Sequence, residues 1–91
     1  MEDPAEDKIT TNLFKRTPIK ETEWVDIEVL NHNSITKIKR LLSTDGRTKI
    51  TDIFESRDIF LIRANISQVG LDLIKYHKDV IKIDVPPRVR F

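Results

Sequence analysis

Residues 59–66 read Ile-Phe-Leu-Ile-Arg-Ala-Asn-Ile and form the most apolar stretch of the chain. Alternate residues fall into two sets, Phe60, Ile62, Ala64 and Ile66 in one and Ile59, Leu61, Arg63 and Asn65 in the other. This period of two predicts a β-strand with one buried face. Ser67 then provides a good N-cap for a helix. The apolar stripe expected on that helix is Val69, Leu73, Ile74 and His77.

Similar patterns lie on both sides of this strand. We predict a first strand over Glu23 to Leu30, a second over Thr48 to Phe54 and a last one over Val80 to Val85. The four residues Glu55-Ser56-Arg57-Asp58 have the composition of a hairpin turn. Between the first two strands, Ser34 is expected to cap a helix that Asp45-Gly46 ends.

The order of these elements, β-α-β-β-α-β, predicts an α+β fold, namely a ferredoxin-like sandwich. Right-handed crossovers would give a four-stranded antiparallel sheet in the order 4-1-3-2, with two helices on one face and the other face open. We expect three regions along the chain. They are a flexible N-terminal arm (1–22) with a short ordered piece expected around Ile9 to Arg16, the ferredoxin-like domain (23–85) and an extended C-terminal tail (86–91).

Composition excludes several classes of protein. At 91 residues the chain has room for one domain. It has no cysteine, which rules out disulfides and thiolate metal sites, and no apolar run long enough to span a membrane. The acidic opening, residues 1–7, does not resemble a signal peptide. The compartment therefore stays open: secreted or periplasmic if the chain is a fragment of an exported precursor, and cytoplasmic otherwise.

Catalysis and cofactor binding have little support in the sequence. His32 and His77 lie in a turn and near a helix end, without neighbours at ligand spacing, and we predict no catalytic or metal site. The two glycines, Gly46 and Gly70, do not make a phosphate-binding loop. Nucleic acid is also not expected, because the formal net charge is only +1 and the central strands lack the stacked aromatic residues of RNA-binding sheets.

Two features favour a protein partner. Trp24, Ile59 and Leu61 are expected on the open face, with Ile53 as a further candidate, and exposed apolar surface of this kind tends to meet another protein. A shifted strand register, or an N-terminal arm folded over this face, would explain the same residues without a partner. The second feature is the tail from Pro86 to Phe91, which is suited to extended pairing or to a linker into a following domain.

The stretch from Ile59 to Val89 resembles the second half of the propeptides of subtilisin-like serine proteases. That family commonly shows an apolar strand, a helix, and a His-x-Asp-Val run followed by a later acidic residue. The corresponding segments here are Ile59-Phe60-Leu61-Ile62-Arg63-Ala64, a helix from Ser67, and His77-Lys78-Asp79-Val80-Ile81-Lys82-Ile83-Asp84.

The resemblance implies an intramolecular chaperone and inhibitor, which is not an enzyme and takes no cofactor. Its open sheet face would pack on the catalytic domain of a subtilisin-type protease, in cis or in trans. The docking residues implied are Trp24, Ile59, Leu61 and Arg63. The tail implied to lie in the active-site cleft is Pro86, Pro87, Arg88, Val89, Arg90 and Phe91, with Phe91 next to the catalytic serine if cleavage follows it.

An alternative hypothesis uses the same fold differently. A ferredoxin-like interaction or regulatory module would use its open sheet face for self-association or for another partner. Small-molecule regulatory domains of this topology usually carry a glycine-rich loop at the first strand–helix turn, where this chain has Asn31-His32-Asn33. The alternative therefore favours a protein partner over a small ligand.

Overall fold

The structure is a computed structural model that describes residues 8–86. Its architecture is α+β, as predicted, with a short helix ahead of the predicted elements. The elements are α1 (Thr11–Phe14), β1 (Glu23–Val29), α2 (His32–Leu42), β2 (Lys49–Glu55), β3 (Phe60–Ile66), α3 (Gln68–Ile74) and β4 (Val80–Asp84).

The strands form one antiparallel sheet in the order β2-β3-β1-β4, which reads 4-1-3-2 from the other edge. β1 pairs with β3 without interruption, from Glu23 opposite Ile66 to Val29 opposite Phe60. The two outer pairings each contain a register shift. The shift in β2 lies between Ile50 and Asp52, and the β1–β4 pairing shifts after Glu28.

The core lies between the sheet and the two longer helices. Alternation along β1 and β3 sends every second side chain to this side, where α2 and α3 also contact each other. Full burial of a valine, leucine or isoleucine side chain stabilises the folded state by about 1.5–3 kcal/mol. The buried residues of these four elements are Val25, Ile27, Val29, Ile62, Ala64, Ile66, Ile35, Ile38, Leu42, Leu71 and Ile74.

The ends of α2 differ from the expectation. Asn31 is the N-cap, and its side chain accepts a hydrogen bond from the Ser34 N–H at 3.0 Å. Ser34 is instead buried within the first turn, where its hydroxyl donates to Asp79 at 3.1 Å. The helix ends at Leu42, and Gly46 does not adopt the positive φ of a left-handed cap.

The start of α3 was predicted correctly, but of its buried side only Ile74 was. Ser67 is the N-cap and accepts a hydrogen bond from the Gly70 N–H at 3.1 Å. Gly70, Leu71 and Ile74 face the core, whereas Val69 and Leu73 are exposed. The helix therefore packs through Gly70 together with Leu71 and Ile74, and not through Val69 or Leu73.

The N-terminal segment, expected to be a flexible arm, packs against the domain from residue 8 onward. Ile9 forms a parallel bridge with Ile83, and the Thr10 N–H donates to the Ile83 carbonyl at 3.1 Å. Leu13 and Ile19 are both buried in the core. This segment therefore covers the outer edge of β4, while residues 1–7 lie outside the described residues.

Candidate protein-binding face

The open face is the side of the sheet opposite α2 and α3. Directly opposed residues of antiparallel strands project to the same side, so the strand register assigns the members of this face. The described part of the N-terminal segment, residues 8–22, does not fold over it, because Leu13 and Ile19 belong to the core. The open-face residues within the strands are Trp24, Asp26, Glu28, Lys49, Asp52, Phe54, Leu61, Arg63, Asn65, Lys82 and Asp84.

Arg63 lies at the centre of the open face and is held on both sides. Its Nε donates to Asp26 Oδ1 at 2.8 Å, and its second terminal nitrogen donates to Asp26 Oδ2 at 3.2 Å. The guanidinium carbon also lies 5.1 Å from the centre of the Phe54 ring. The hydrogen bonds to Asp26 and the nearby charge of Asp52 raise the pKa of Arg63, although partial burial opposes them. The centre of the face is therefore a fixed, charged group.

Arg63 is part of a row of charged residues that crosses all four strands. Asp26 lies opposite Asp84 on one side and opposite Arg63 on the other, and Arg63 lies opposite Asp52. We call these four residues the acidic row. The row contains three carboxylates and one guanidinium, which leaves a formal excess of two negative charges within it.

Apolar side chains gather at one end of the open face, next to the β2–β3 hairpin. Leu61 lies opposite Phe54, while Leu30 and Ile59 continue the alternation one residue beyond β1 and β3. Phe54, Ile59 and Leu30 are exposed large hydrophobic residues. We call these four residues the apolar patch. A contiguous exposed patch of this kind marks an interaction site more often than scattered apolar residues do.

The structure brings three of the four proposed docking residues together. Ile59 and Leu61 belong to the apolar patch, and Arg63 is two residues further along β3. Trp24 lies opposite Asn65, six residues along the strand from Ile59, which is about 20 Å at roughly 3.3 Å per residue. Trp24 is therefore on the open face but at its far end.

One position in β2 was assigned to the wrong face, and another was not predicted at all. Ile53 lies opposite the buried Ile62, so it points to the helix side rather than to the open face. Phe54 takes the open-face position and was missed. The register shift between Ile50 and Asp52 reverses the alternation within β2, and the sequence contains no glycine or proline that would signal it.

The described chain ends close to the Trp24 end of the open face. Asp84 is the last residue of β4 and lies opposite Asp26, two residues from Trp24. Pro86, the first residue of the proposed tail, is partly buried. The other tail residues lie outside the described residues. They are Pro87, Arg88, Val89, Arg90 and Phe91.

The polar groups elsewhere in the described chain serve to connect elements. Asp79 accepts hydrogen bonds from Ser34 at 3.1 Å and from Lys37 at 3.4 Å. Burial raises the pKa of Asp79, but these two hydrogen bonds and nearby positive charge outweigh it, so the pKa lies below its ordinary value. The carboxylate therefore stays ionised and links the start of α2 to the start of β4.

The two histidines have separate partners. His32 Nδ1 lies 2.7 Å from Glu55 Oε1 on the exposed surface. His77 Nδ1 accepts a hydrogen bond from the Asp79 N–H at 3.1 Å. Among residues 8–86, no group of three or more His, Asp or Glu side chains is arranged to hold a metal ion. Over the same residues, no helix is long and apolar enough to cross a membrane.

No family model matches the chain, and no curated protein or solved structure matches it at a significant level. The proposals below are therefore supported by the residues and by the geometry of the open face.

Proposed function

We propose that this chain is a propeptide-like domain that binds a subtilisin-type serine protease, assists its folding and inhibits it. In this proposal the open face packs on the catalytic domain, and the tail from Pro86 to Phe91 lies in the active-site cleft. The observation that carries the proposal is the uncovered open face, with the apolar patch at one end and the start of the tail near the other.

The difference in burial between the two faces of the sheet supports a protein partner. On the helix side the apolar residues of β1 and β3 are buried in the core or packed against it, whereas Leu30, Phe54 and Ile59 of the apolar patch are exposed to solvent on the other side. Burying such a patch against another protein gains about 25 cal/mol for each Å² of apolar surface removed from water. A protein surface with matching apolar groups would therefore stabilise the exposed face.

The position of the tail supports contact with a single partner at two places. The tail begins at Pro86, beside the Trp24 end of the open face, and the apolar patch lies at the opposite end. A catalytic domain docked along the face would thus hold the tail close to its own surface. Such tethering raises the effective concentration of the tail at the cleft and slows its release.

We also infer that the fold is the ferredoxin-like sandwich expected for such propeptides. The antiparallel neighbours, the order β2-β3-β1-β4 and the shared core of α2 and α3 support this assignment. In that arrangement α1 is an addition that extends the core at the edge of β4.

The proposal is tested by titrating several subtilisin-type proteases with the full chain and measuring residual activity. We expect submicromolar inhibition, with a trypsin-type protease unaffected. A chain that ends at Val85 should lose the inhibition, because it lacks the tail. A folded full chain that inhibits none of the subtilisin-type enzymes contradicts the proposal.

The contribution of the open face is tested with a matched pair of variants. Ile59 is 52% exposed on the apolar patch, and Val69 is 59% exposed on α3, on the other side of the sheet. We expect Ile59→Ser to weaken inhibition about tenfold, since it removes buried apolar contact from the complex. Val69→Ser should leave inhibition unchanged. Equal effects of the two variants would argue against docking through the open face.

A second candidate function is an interaction module that binds itself or a different protein. The observation in its favour is β2, which lies at the sheet edge and is exposed along almost its whole length. Edge strands of this kind can pair with a strand from another chain. Analytical ultracentrifugation separates the candidates, because self-pairing predicts a concentration-dependent dimer without any protease.

A further inference from the structure

We propose that the partner surface that docks on the open face presents lysine or arginine side chains to the acidic row, beside apolar residues that cover the apolar patch. This inference deepens the proposed function and rests on it, because it specifies the chemistry of the protease surface that meets the sheet. It concerns the centre of the face rather than the tail or the cleft.

The first argument is the uneven charge of the acidic row. Arg63 makes its two hydrogen bonds to one carboxylate, that of Asp26. Asp84 accepts hydrogen bonds from the Thr10 hydroxyl and from the Val85 N–H, neither of which carries a positive charge. Asp52 is exposed on the edge strand. Lys49 and Lys82 lie on the same face, but among the described residues neither forms an ion pair with the row. The strand residues of the open face carry four carboxylates and three cations, which leaves a formal excess of one negative charge.

The second argument is the position of Asp52 relative to the apolar patch. Asp52 and Phe54 lie on the same face of β2, two residues apart, so a partner that covers the Phe54 ring also approaches the Asp52 carboxylate. Apolar contact displaces water from the neighbourhood. An unmatched carboxylate there would lose hydration without compensation, and a like charge opposite it would add repulsion. A partner cation removes both penalties.

The third argument concerns Arg63. Because Asp26 and Phe54 hold the guanidinium from two sides, it is not free to turn toward an acidic group on a partner. The one positive group of the row is therefore already committed. An acidic surface, including a nucleic-acid backbone, would meet the excess negative charge of the row directly.

The inference is tested first on the proteases that the full chain inhibits. Asp52→Lys reverses the charge of the row, and Asp52→Asn removes one charge at nearly constant shape. Asp72→Lys makes the same charge reversal on α3, at an exposed residue on the other side of the sheet. Circular dichroism and thermal unfolding should show that all three variants fold.

At about 0.1 M salt we expect Asp52→Lys to weaken inhibition about tenfold and Asp52→Asn to weaken it severalfold, with Asp72→Lys close to the unaltered chain. The difference in inhibition between the Asp52 variants and the unaltered chain should shrink at about 1 M salt, where exposed charges are screened. If inhibition is strong but indifferent to both Asp52 variants, the inference is overturned while the proposed function stands.

A second measurement does not depend on any protease. The probe is a synthetic amphipathic helix with a leucine stripe bordered by lysines, compared by calorimetry with the same peptide carrying glutamate at each lysine. We expect the lysine peptide alone to bind the unaltered chain, and Asp52→Lys to abolish that binding. Binding of the lysine peptide without inhibition of any protease would support the inference and contradict the proposed function. Equal binding of the two peptides, or binding of neither, overturns the inference.

Discussion

Gly70 lies where the first turn of α3 comes closest to the rest of the domain. A Cβ built on Gly70 would clash with the Thr48 hydroxyl and would lie 2.8 Å from Ile66 Cγ1, a distance that real Cβ contacts do not show. The absence of a side chain is thus what lets α3 approach β3. This contact also explains why the buried side of the helix runs through a glycine.

At this position the usual benefit of alanine in a helix should be reversed. Gly70→Ala should lower the free energy of unfolding by about 1–3 kcal/mol through overpacking, despite a gain in helix propensity of about 1 kcal/mol. The matched control is Gly46→Ala, because a Cβ at Gly46 meets nothing within 4 Å and its φ is not positive. Urea denaturation measures the free energy of unfolding of both variants and of the unaltered chain. A Gly70→Ala variant as stable as Gly46→Ala would contradict the close approach.

The capping of α2 shows what local sequence can and cannot predict about single residues. Asn31 and Ser34 are both suitable N-caps, and propensity alone does not choose between them. The choice depends on Asp79, which is 45 positions further along the chain and accepts the Ser34 hydroxyl. Ser67 was predicted correctly because its helix begins directly after a strong strand, so the alternatives were fewer.

At the scale of elements, α1 is the helix that the sequence indicated least clearly, as a short ordered piece within an arm expected to be flexible. It has only four residues, too few to show a helical apolar period. Leu13 is nevertheless fully buried, and Ile9 extends the pairing at the edge of β4. The composition of residues 1–22 is typical of a free arm, because it contains few large apolar residues, and Ile9, Leu13 and Ile19 pack on the domain from separate positions along the chain.

The contribution of α1 is tested at two adjacent residues. Leu13 is 0% exposed and Phe14 is 58% exposed. Leu13→Ala should lower the free energy of unfolding by about 2–5 kcal/mol, because it leaves a cavity in the core. Phe14→Ala should change the free energy of unfolding by no more than about 0.5 kcal/mol, as for most exposed substitutions. Equal denaturation midpoints for the two variants would show that the N-terminal segment does not belong to the cooperative unit.

The register shift in β2 is the element-scale reason that the binding face was predicted incompletely. β1 and β3 pair without interruption, so period-two reasoning placed Trp24, Leu61 and Arg63 on the open face as the structure does. In β2 one extra residue reverses the alternation and moves Phe54 into the place assumed for Ile53. A bulge without glycine leaves no mark in the sequence.

For the whole molecule, the types and order of the elements from β1 to β4 were predictable because most of these strands and helices carry their own apolar period. The spatial separation of Trp24 from the apolar patch follows only from the antiparallel register, which no local pattern contains. The acidic row is a further example. Its residues come from four strands, and between Asp26 and Asp84 they span most of the domain in sequence.

The carboxylate of Asp45, which connects separate elements, should make the stability of the whole domain depend on pH. Asp45 accepts hydrogen bonds from the Ser67 hydroxyl and, at 2.7 Å, from Thr48, and these lower the pKa of Asp45 below its ordinary value of 3.8. A lowered pKa in the folded state means that the ionised carboxylate stabilises the fold above pH 3.8. This contribution is lost as the pH falls through the lowered pKa. Asp45→Asn should therefore be less stable than the unaltered chain at pH 7, and the gap in urea midpoint should close as the pH falls below 3.8. A gap that stays constant over this range would show that the Asp45 charge does not stabilise the domain.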